Sequence, residues 1–361
     1  MRTEVAGRPK PGKAKFADRV TAKDRPIRAA IVGAGLMGRW HAQAIQKVGG
    51  KLIAVVDPDP TRARRLATRF HAGSFPTVEN MLSEVELNVL HLCSPSATHQ
   101  NIAEAGIEAG ANLVIEKPIT LTALEAVRLY EQAARHGVMV CPVHQFIFQK
   151  GVLKAQKVLP AIGHLLHLGA TICSAGGEGV ATDKLDSMAA DILPHPLSLL
   201  QRFLPGGLPE EDWVMTKPRQ GELRVSGEAM GATLSIFISM SARPTVCDFQ
   251  IVGTEGTIYL NLFHGYAYLE PGRVSRMRKI AHPFDRSLRN LSAAAFNLGR
   301  RSLRRELAYP GLQRLISEFY SAVQTGGPSP ISAEEAIAIA RVRDRLLSSC
   351  KIGVKELECV G

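Results

Sequence analysis

Short apolar runs alternate with amphipathic stretches along the first part of the chain, from Ile27 to Val143. Five runs have the length and the residue types of buried strands, and they occupy 28–33, 51–57, 89–93, 112–116 and 138–143. The stretches between them have helical spacing, and they include predicted helices at 60–70, 98–109 and 121–136. Because strands and helices alternate, we expect right-handed βαβ crossovers and a doubly wound parallel sheet, an α/β fold.

The second half follows a different pattern, because its predicted strands succeed one another without helices between them. One strand is predicted within 161–172, and others at 223–225, 229–240, 245–252 and 256–262. The sequence Gly253-Thr-Glu-Gly256 is typical of a hairpin turn. Strands in direct succession favour antiparallel pairing, so we predict an α+β domain with a mostly antiparallel open sheet. Helices near 310–324 and 332–349 close the chain.

Composition and charge narrow the class of protein. The 361 residues are 45% hydrophobic and 21% charged, which is typical of globular proteins. The net charge of +11 is concentrated in residues 1–28, with nine basic and three acidic side chains, and residues 273–305, with ten basic and one acidic. We therefore predict a basic flexible tail at 1–26, a first domain at 27–146 and a second domain at 147–361.

The expected compartment is the cytoplasm. No apolar run approaches the ~18 residues of a transmembrane helix, so no stable membrane insertion is expected. The N-terminus lacks the apolar core of a secretory signal. The six cysteines form no C-x-x-C pair, which indicates reduced thiols rather than a disulfide framework, and no metal site is predicted.

The basic segment 273–305 has the pattern of an amphipathic helix. Leu288, Leu291, Ala295 and Leu298 recur at helical spacing among the arginines. Its role is open between a surface helix that covers the domain, a contact with an anionic substrate such as the diphosphate of a nucleotide sugar, and attachment to a membrane surface. No nucleic-acid partner is expected, because neither a recognition motif nor interleaved aromatic residues accompany the charges.

A glycine-rich turn, Gly33-Ala-Gly35-Leu-Met-Gly38, ends the first predicted strand and opens the following helix. In that context the glycines permit a tight turn, close approach of a pyrophosphate and close packing of helix on strand. Asp57 ends the next strand, where a carboxylate can accept hydrogen bonds from the adenosine ribose and repel a 2′-phosphate. The pattern predicts a Rossmann domain that binds NAD, with NADP less favoured. Arg62, Arg64 and Arg65 weaken that preference.

Four motifs follow this framework. Trp40-His41 follows the glycine turn, and Cys93-Ser-Pro-Ser-Ala-Thr-His99 follows the third strand. Glu116-Lys117-Pro118 follows the fourth strand, and Asp191-Ile-Leu-Pro-His195 has an Asp-x-x-x-His spacing. Together they resemble the Gfo/Idh/MocA oxidoreductases, a family that includes glucose–fructose oxidoreductase and inositol dehydrogenase. The resemblance extends over residues 27–350.

The resemblance implies a set of site residues. The expected cofactor contacts are Gly33, Gly35, Leu36, Met37, Gly38, Asp57, Ser94, Pro95, His99, Glu116, Lys117 and Gln145. The expected catalytic residues are Lys117, Asp191, His195 and His144. An ammonium at the carboxyl end of a parallel strand can hydrogen-bond a substrate hydroxyl and stabilise negative charge as hydride leaves. A histidine that titrates near neutral pH suits the hydroxyl proton.

The sequence departs from the family pattern in two places. Leu193 stands where the family has glycine, and Ser198 where it often has an acid. His195 lies between two prolines, so we expect it at a helix start, as either the base or a packing histidine. Asp191 either orients the His195 imidazole or binds a sugar hydroxyl. His144, where relatives often carry Asn-Arg or Asn-Tyr, is either a substrate ligand, an alternative acid/base or a buried, hydrogen-bonded histidine.

The expected activity is hydride transfer between NAD(H) and a carbinol of a sugar, cyclitol or nucleotide-sugar derivative. One alternative is glycoside cleavage by oxidation and elimination, in which NAD is used only transiently. The other is a redox-silent sensor that binds NAD(H) without turnover. The expected partners are a small sugar-like substrate, neutral or anionic, and further copies of the chain in a homo-oligomer, a dimer or a tetramer.

Overall fold

A computed structural model describes residues 26–272, 278–303 and 309–350, and its first half is built on a parallel sheet. The strands are β1 Arg28–Val32, β2 Lys51–Val56, β3 Gly73–Phe75, β4 Val89–Leu92, β5 Asn112–Ile115 and β6 Val140–Pro142. They pair in the order β3-β2-β1-β4-β5-β6, and each of these pairs is parallel. The predicted doubly wound sheet is confirmed. The strand order reverses between β1 and β4, which opens a crevice at their carboxyl ends.

Helices of the first half begin and end at local sequence signals. They are α1 Leu36–Lys47, α2 Pro60–Phe70, α3 Val78–Glu84, α4 His99–Glu108 and α5 Ala123–His136. At the start of α2, the Asp59 carboxylate accepts hydrogen bonds from two main-chain N–H groups. A capping box between Thr122 and Glu125 starts α5, and Gly137, with φ of 65°, ends it. Alternate residues of β1 point into two separate core clusters, so both faces of the sheet are covered.

Two elements of the first half are absent from the sequence prediction. β3 is a three-residue edge strand of Gly, Ser and Phe, without the β-branched residues that mark strands. α3 spans only seven residues, which is too short for a periodic pattern to stand out. Of the predicted tail at 1–26, only Pro26 lies within the described residues.

The second half is built on a mixed, mostly antiparallel sheet, as predicted. Its strands are β7 Leu165–Cys173, β8 Val214–Thr216, β9 Glu222–Ala229, β10 Ala232–Ser239, β11 Val246–Gly253, β12 Gly256–Asn261 and β13 Tyr266–Pro271. The order is β13-β12-β11-β7-β10-β9-β8, and only the β7–β10 pair of this sheet is parallel. The strand predicted at 229–240 is confirmed as β10, but it begins only at Ala232, because Met230 and Gly231 adopt φ of 53° and 76° and turn the chain there.

The remaining helices all follow β6 in the chain, and the last two of them pack on helices of the first half. They are α6 Lys150–Val158, α7 Leu185–Ile192, α8 Pro194–Phe203, α9 Arg278–Leu303, α10 Leu312–Thr325 and α11 Ala333–Ser349. α10 packs on α1, and α11 packs on both α5 and α8, so the end of the chain returns to the first sheet. The buried Arg343 of α11 donates a hydrogen bond to the main-chain oxygen of Leu121. Within the described ranges, every helix is too short or too polar to cross a bilayer.

Candidate active site

The glycine turn is closed towards the sheet and open on the opposite side. A Cβ on Gly33, whose φ is 96°, would lie 2.6 Å from the main chain of Cys93, and one on Gly38 would lie 2.0 Å from the Gly33 oxygen. Around Gly35 no described atom beyond its chain neighbours lies within 4 Å of a Cβ position. α1 begins there with Leu36 and Met37, and its first turn carries no acidic residue. The turn therefore fits the pyrophosphate of a dinucleotide.

Asp57 braces this turn from the end of β2. Its buried carboxylate accepts hydrogen bonds from the N–H of Ala34 at 2.7 Å and from the N–H of Asp59 at 2.9 Å. Arg62 is paired with Asp59 at 2.9 Å, and this hydrogen bond is the main reason that the pKa of Asp59 is lowered. Arg62, the arginine near Asp57, is thus held by Asp59 at the start of α2.

His99 joins the loops that follow β4 and β5. Its ring nitrogens lie 3.0 Å from the main-chain oxygens of Ser94 and Pro118, and the ring is buried. Burial lowers the pKa of His99, against the two carbonyl contacts that favour the protonated ring. Ser94 also pairs its hydroxyl with Thr98 at 2.7 Å. His99 therefore fixes the loop of Ser94 and Pro95 against the loop of Lys117, at the carboxyl edge of the sheet.

A chain of four buried polar side chains crosses the first half, and we call it the histidine chain. Glu116 Oε1 lies 3.1 Å from His41 Nε2, His41 Nδ1 lies 2.9 Å from His91 Nδ1, and His91 Nε2 lies 2.8 Å from the Tyr320 hydroxyl. Burial lowers the pKa of His91 and raises the pKa of Tyr320, so both groups are neutral. Glu116 also accepts a hydrogen bond from the N–H of Lys117 at 3.2 Å.

The proton positions in the histidine chain follow by elimination for neutral rings. In the arrangement with both rings neutral, His41 donates from Nε2 to the Glu116 oxygen and accepts at Nδ1. His91 then donates from Nδ1 and accepts at Nε2 from the Tyr320 hydroxyl. Each ring nitrogen has a partner of the correct kind, and the chain fixes the carboxylate beside Lys117.

Lys117 is where the two halves of the protein meet. It follows β5, and its Nζ donates a hydrogen bond to the main-chain oxygen of Asp191 at 3.0 Å. Asp191 lies in the last turn of α7, and His195 lies in the first turn of α8, as its flanking prolines predict. The His195 ring stacks on Phe146, with centroids 4.4 Å apart and planes 18° from parallel. The structure thus brings Lys117 against Asp191, which lies 74 positions away in the sequence.

Four buried atoms at this junction have no hydrogen-bond partner among the described residues. They are His144 Nδ1, Gln145 Oε1, Asp191 Oδ1 and His195 Nδ1. Because nearly all buried polar atoms in native proteins are paired with protein, ordered water or a ligand, this group of atoms is a candidate place for a ligand to bind. We call these four atoms the orphan cluster.

The electrostatics of the orphan cluster favour neutral side chains. Burial, with Lys117 and Arg202 nearby, lowers the pKa of His144 to about 4, although Glu116 opposes the shift. Burial, Lys117 and His144 hold the pKa of His195 well below its usual range. Burial raises the pKa of Asp191, against the charges of Lys117 and Arg343. At neutral pH both imidazoles are therefore free bases that can accept a proton.

Several details differ from the sequence expectation. Asp191 does not orient His195, since neither Asp191 Oδ1 nor His195 Nδ1 has a partner in the described part of the chain. His144 is buried, yet its Nδ1 is unpaired, unlike the hydrogen-bonded alternative. His91 and Tyr320 were missed. A histidine in the apolar strand Val89–Leu92 is a signal for His91, whereas Tyr320 lies 229 residues away and gives none.

A metal site was not predicted from the sequence. Among residues 26–272, 278–303 and 309–350, no group of His, Cys, Asp or Glu side chains has the arrangement of a metal site.

Comparison with known proteins identifies the family of the chain. Residues 27–144 match the model of an oxidoreductase family with an NAD-binding Rossmann fold. The chain is 32% identical over 252 residues to an inositol 2-dehydrogenase of Agrobacterium fabrum, covering 66% of this chain and 69% of that one. It is 33% identical over 147 residues to a UDP-N-acetylglucosamine 3-dehydrogenase of Acidithiobacillus ferrooxidans, covering 37% and 46%.

A solved structure resembles nearly the whole fold. The WlbA dehydrogenase of Bordetella pertussis, crystallised with NADH and UDP-GlcNAcA, superposes with a TM-score of 0.72 at 17% identity, covering 90% of this chain and 96% of that one. The chain spans about half the length of the first curated relatives that it matches in sequence. The family is established by the longer match, and this chain belongs to the Gfo/Idh/MocA oxidoreductases.

Proposed function

We propose that this protein is a dehydrogenase that transfers hydride between NAD(H) and a carbinol of a sugar, a cyclitol or a nucleotide sugar. The observation that carries the proposal is the orphan cluster beside Lys117, because it offers hydrogen-bonding atoms to a polyhydroxylated ligand at the carboxyl edge of a Rossmann sheet. The similarity to an inositol 2-dehydrogenase and to a UDP-N-acetylglucosamine 3-dehydrogenase supports this substrate class.

The cofactor would lie across the glycine turn. The N–H groups at the start of α1 would hold its pyrophosphate, and Asp57 would accept from the adenosine ribose hydroxyls. When bound, NAD supplies a carbon that accepts or returns a hydride. NAD is favoured over NADP, because Asp57 is buried beside the turn and the adjacent Arg62 is paired with Asp59.

The protein's own residues handle the hydroxyl group of the substrate. The Lys117 ammonium, now satisfied by a main-chain oxygen, would exchange this partner for the hydroxyl oxygen and stabilise negative charge on it. His195, with a neutral ring of lowered pKa, would take the hydroxyl proton as the C–H hydride departs. Asp191 and His144 would bind neighbouring hydroxyls through their unpaired atoms.

A panel of sugars, cyclitols and nucleotide sugars, assayed by NADH fluorescence, tests the proposal. We expect one class to yield NADH in proportion to oxidised product. Glycoside cleavage without net NADH would instead indicate transient use of NAD. Cofactor binding by calorimetry with no turnover of any compound would contradict an enzymatic role and favour a sensor.

Asp57 provides the test of cofactor choice. We expect Asp57→Ala to weaken NAD binding by about 1–3 kcal/mol, as for a lost hydrogen bond to a charged group. Asp57→Asn, which keeps an oxygen for the Ala34 N–H, should shift preference towards NADP, and Asp59→Ala, which releases Arg62, should shift it in the same direction. Tighter binding of NADP than of NAD by the unmodified protein, measured by calorimetry, would show this assignment to be wrong.

A further inference from the structure

α9 docks on the second sheet with its polar side. The helix side chains that contact the sheet and its loops are His282, Arg286, Asn290, Asn297 and Arg301. Arg286 lies over the Tyr259 ring, 4.8 Å from its centroid, and Asn297 is only 6% exposed. Polar groups are thus satisfied on the side where a surface helix of a globular protein normally buries its apolar residues.

The apolar residues of α9 point away from the protein. Five large side chains share this outer side, and they are Ile280, Phe284, Leu288, Leu291 and Leu298. They are 64–83% exposed, and their spacings of four, four, three and seven residues place them on one side of the helix. We call them the outer stripe. The described part of segment 273–305 is therefore a surface helix on the second sheet whose outer stripe is left uncovered within the described residues.

The charge of α9 indicates which partner suits the outer stripe. Between Arg278 and Leu303 the helix carries six basic residues and one acid, Asp285, which is already paired with Arg289 at 2.9 Å. The basic residues include two in the first turn and Arg300 and Arg301 in the last turn. A partner that matches both features is apolar and negatively charged.

We propose that α9 docks the protein on an anionic phospholipid surface. The outer stripe would enter the boundary between headgroups and acyl chains, and the net positive charge of the helix would attract it to anionic lipid phosphates. The polar side remains on the second sheet, so the protein would rest on the membrane through one helix. This proposal does not depend on the proposed activity.

A second copy of the chain is the competing occupant. Phe284, Leu291 and Leu298 repeat every seven residues, which also suits pairing of two helices. Charge argues against that arrangement. A parallel pair would place Arg300 and Arg301 beside their own copies, and an antiparallel pair would place them beside the basic first turn, so like charges meet in both orientations.

Co-sedimentation of the full chain with lipid vesicles tests the proposal. We expect binding to vesicles of phosphatidylcholine mixed with phosphatidylglycerol, weaker binding to phosphatidylcholine alone, and weakening by salt. Leu291→Asp should lower vesicle partitioning at least about tenfold, because it removes a leucine that the bilayer would bury and adds a negative charge. Leu298→Asp is the second variant, and Leu124→Asp, at a leucine of α5 that is 60% exposed, is the matched control.

Three results would overturn the proposal. The first is no binding to anionic vesicles. The second is binding that survives both Leu291→Asp and Leu298→Asp, which would assign adsorption to another part of the chain. The third is a dimer in analytical ultracentrifugation that both substitutions dissociate, which would make the outer stripe an interface between copies.

Discussion

The histidine chain and the orphan cluster are both buried and polar, and they differ in whether their atoms are paired. In the histidine chain each ring nitrogen has a partner between 2.8 and 3.1 Å away. In the orphan cluster four atoms have none within the described residues. An unpaired buried group costs about 1–3 kcal/mol, so a ligand that pairs with these four atoms would recover that cost.

This difference in hydrogen bonding indicates that the two regions have different roles. The histidine chain connects Tyr320 of α10 to Glu116 and so fixes the loop that carries Lys117. The orphan cluster lies on the other side of Lys117, where a ligand would complete its hydrogen bonds. We therefore expect changes in the histidine chain to lower stability first, and changes at the orphan cluster to lower turnover first.

The largest effect is expected at Lys117. Lys117→Ala should lower kcat by about 10²–10⁴, because the substrate oxygen loses its charged donor, while NAD affinity changes little. Lys154→Ala is a matched control, since the Lys154 ammonium also donates to a main-chain oxygen but lies on α6, at the second sheet. Steady-state kinetics and calorimetry give the two readouts. Equal losses in both variants would contradict the assignment.

Substitution of His195 and of His144 distinguishes which of these two histidines of the orphan cluster accepts the proton. We expect His195→Ala to lower kcat by a factor of about 10²–10⁴, the range of general acid–base catalysis. His144→Ala, at the buried neighbouring ring, should act mainly on KM. If His195→Ala keeps near-normal turnover while His144→Ala abolishes it, the acceptor lies at the end of β6 rather than at the start of α8.

The free energy of unfolding tests whether the hydrogen bonds of the histidine chain stabilise the fold. Tyr320→Phe removes the hydroxyl that is hydrogen-bonded to His91, so the free energy of unfolding should fall by about 1–3 kcal/mol. Tyr130→Phe is the matched control, because the Tyr130 hydroxyl is buried without a partner among the described residues and its loss should cost little. Urea denaturation measures both. Similar losses in the two variants would show that pairing is not what distinguishes the two regions.

The smallest effect is a pH dependence of stability. The pKa of His144 is about 4 in the folded protein, against about 6.5 in an unfolded chain. The unfolded state therefore binds more protons between these values, and the free energy of unfolding should fall as pH drops below about 6.5. His144→Gln should reduce that slope by up to about 1.4 kcal/mol per pH unit. His136→Gln, at an exposed histidine of α5, is the matched control.

Local sequence patterns were sufficient to predict most of the fold and the part of the candidate site that contains Lys117. The strand–helix alternation, the glycine turn and the Glu116-Lys117-Pro118 motif depend on neighbouring residues, so the sequence predicts the first sheet and Lys117 without tertiary information. The short elements β3 and α3 carry too few residues for a periodic signal.

Long-range pairing could not be predicted. The link between His91 and Tyr320 spans 229 residues, and nothing in either local sequence specifies the other. Similarly, the amphipathic pattern of segment 273–305 predicts a helix but not which side meets the sheet. Here Glu270 and Tyr259 present a carboxylate and an aromatic face to arginine, and this favours docking by the polar side.

The central claim is that Lys117 of the first half and His195 of the second half form one active site. A double-mutant cycle on kcat with Lys117→Ala and His195→Ala tests it most directly, using the sugar or cyclitol that yields NADH. Residues that act as a unit lose most of their benefit with the first removal, so we expect the double variant to be little slower than the slower single variant. Losses that multiply as two independent effects would contradict the claim.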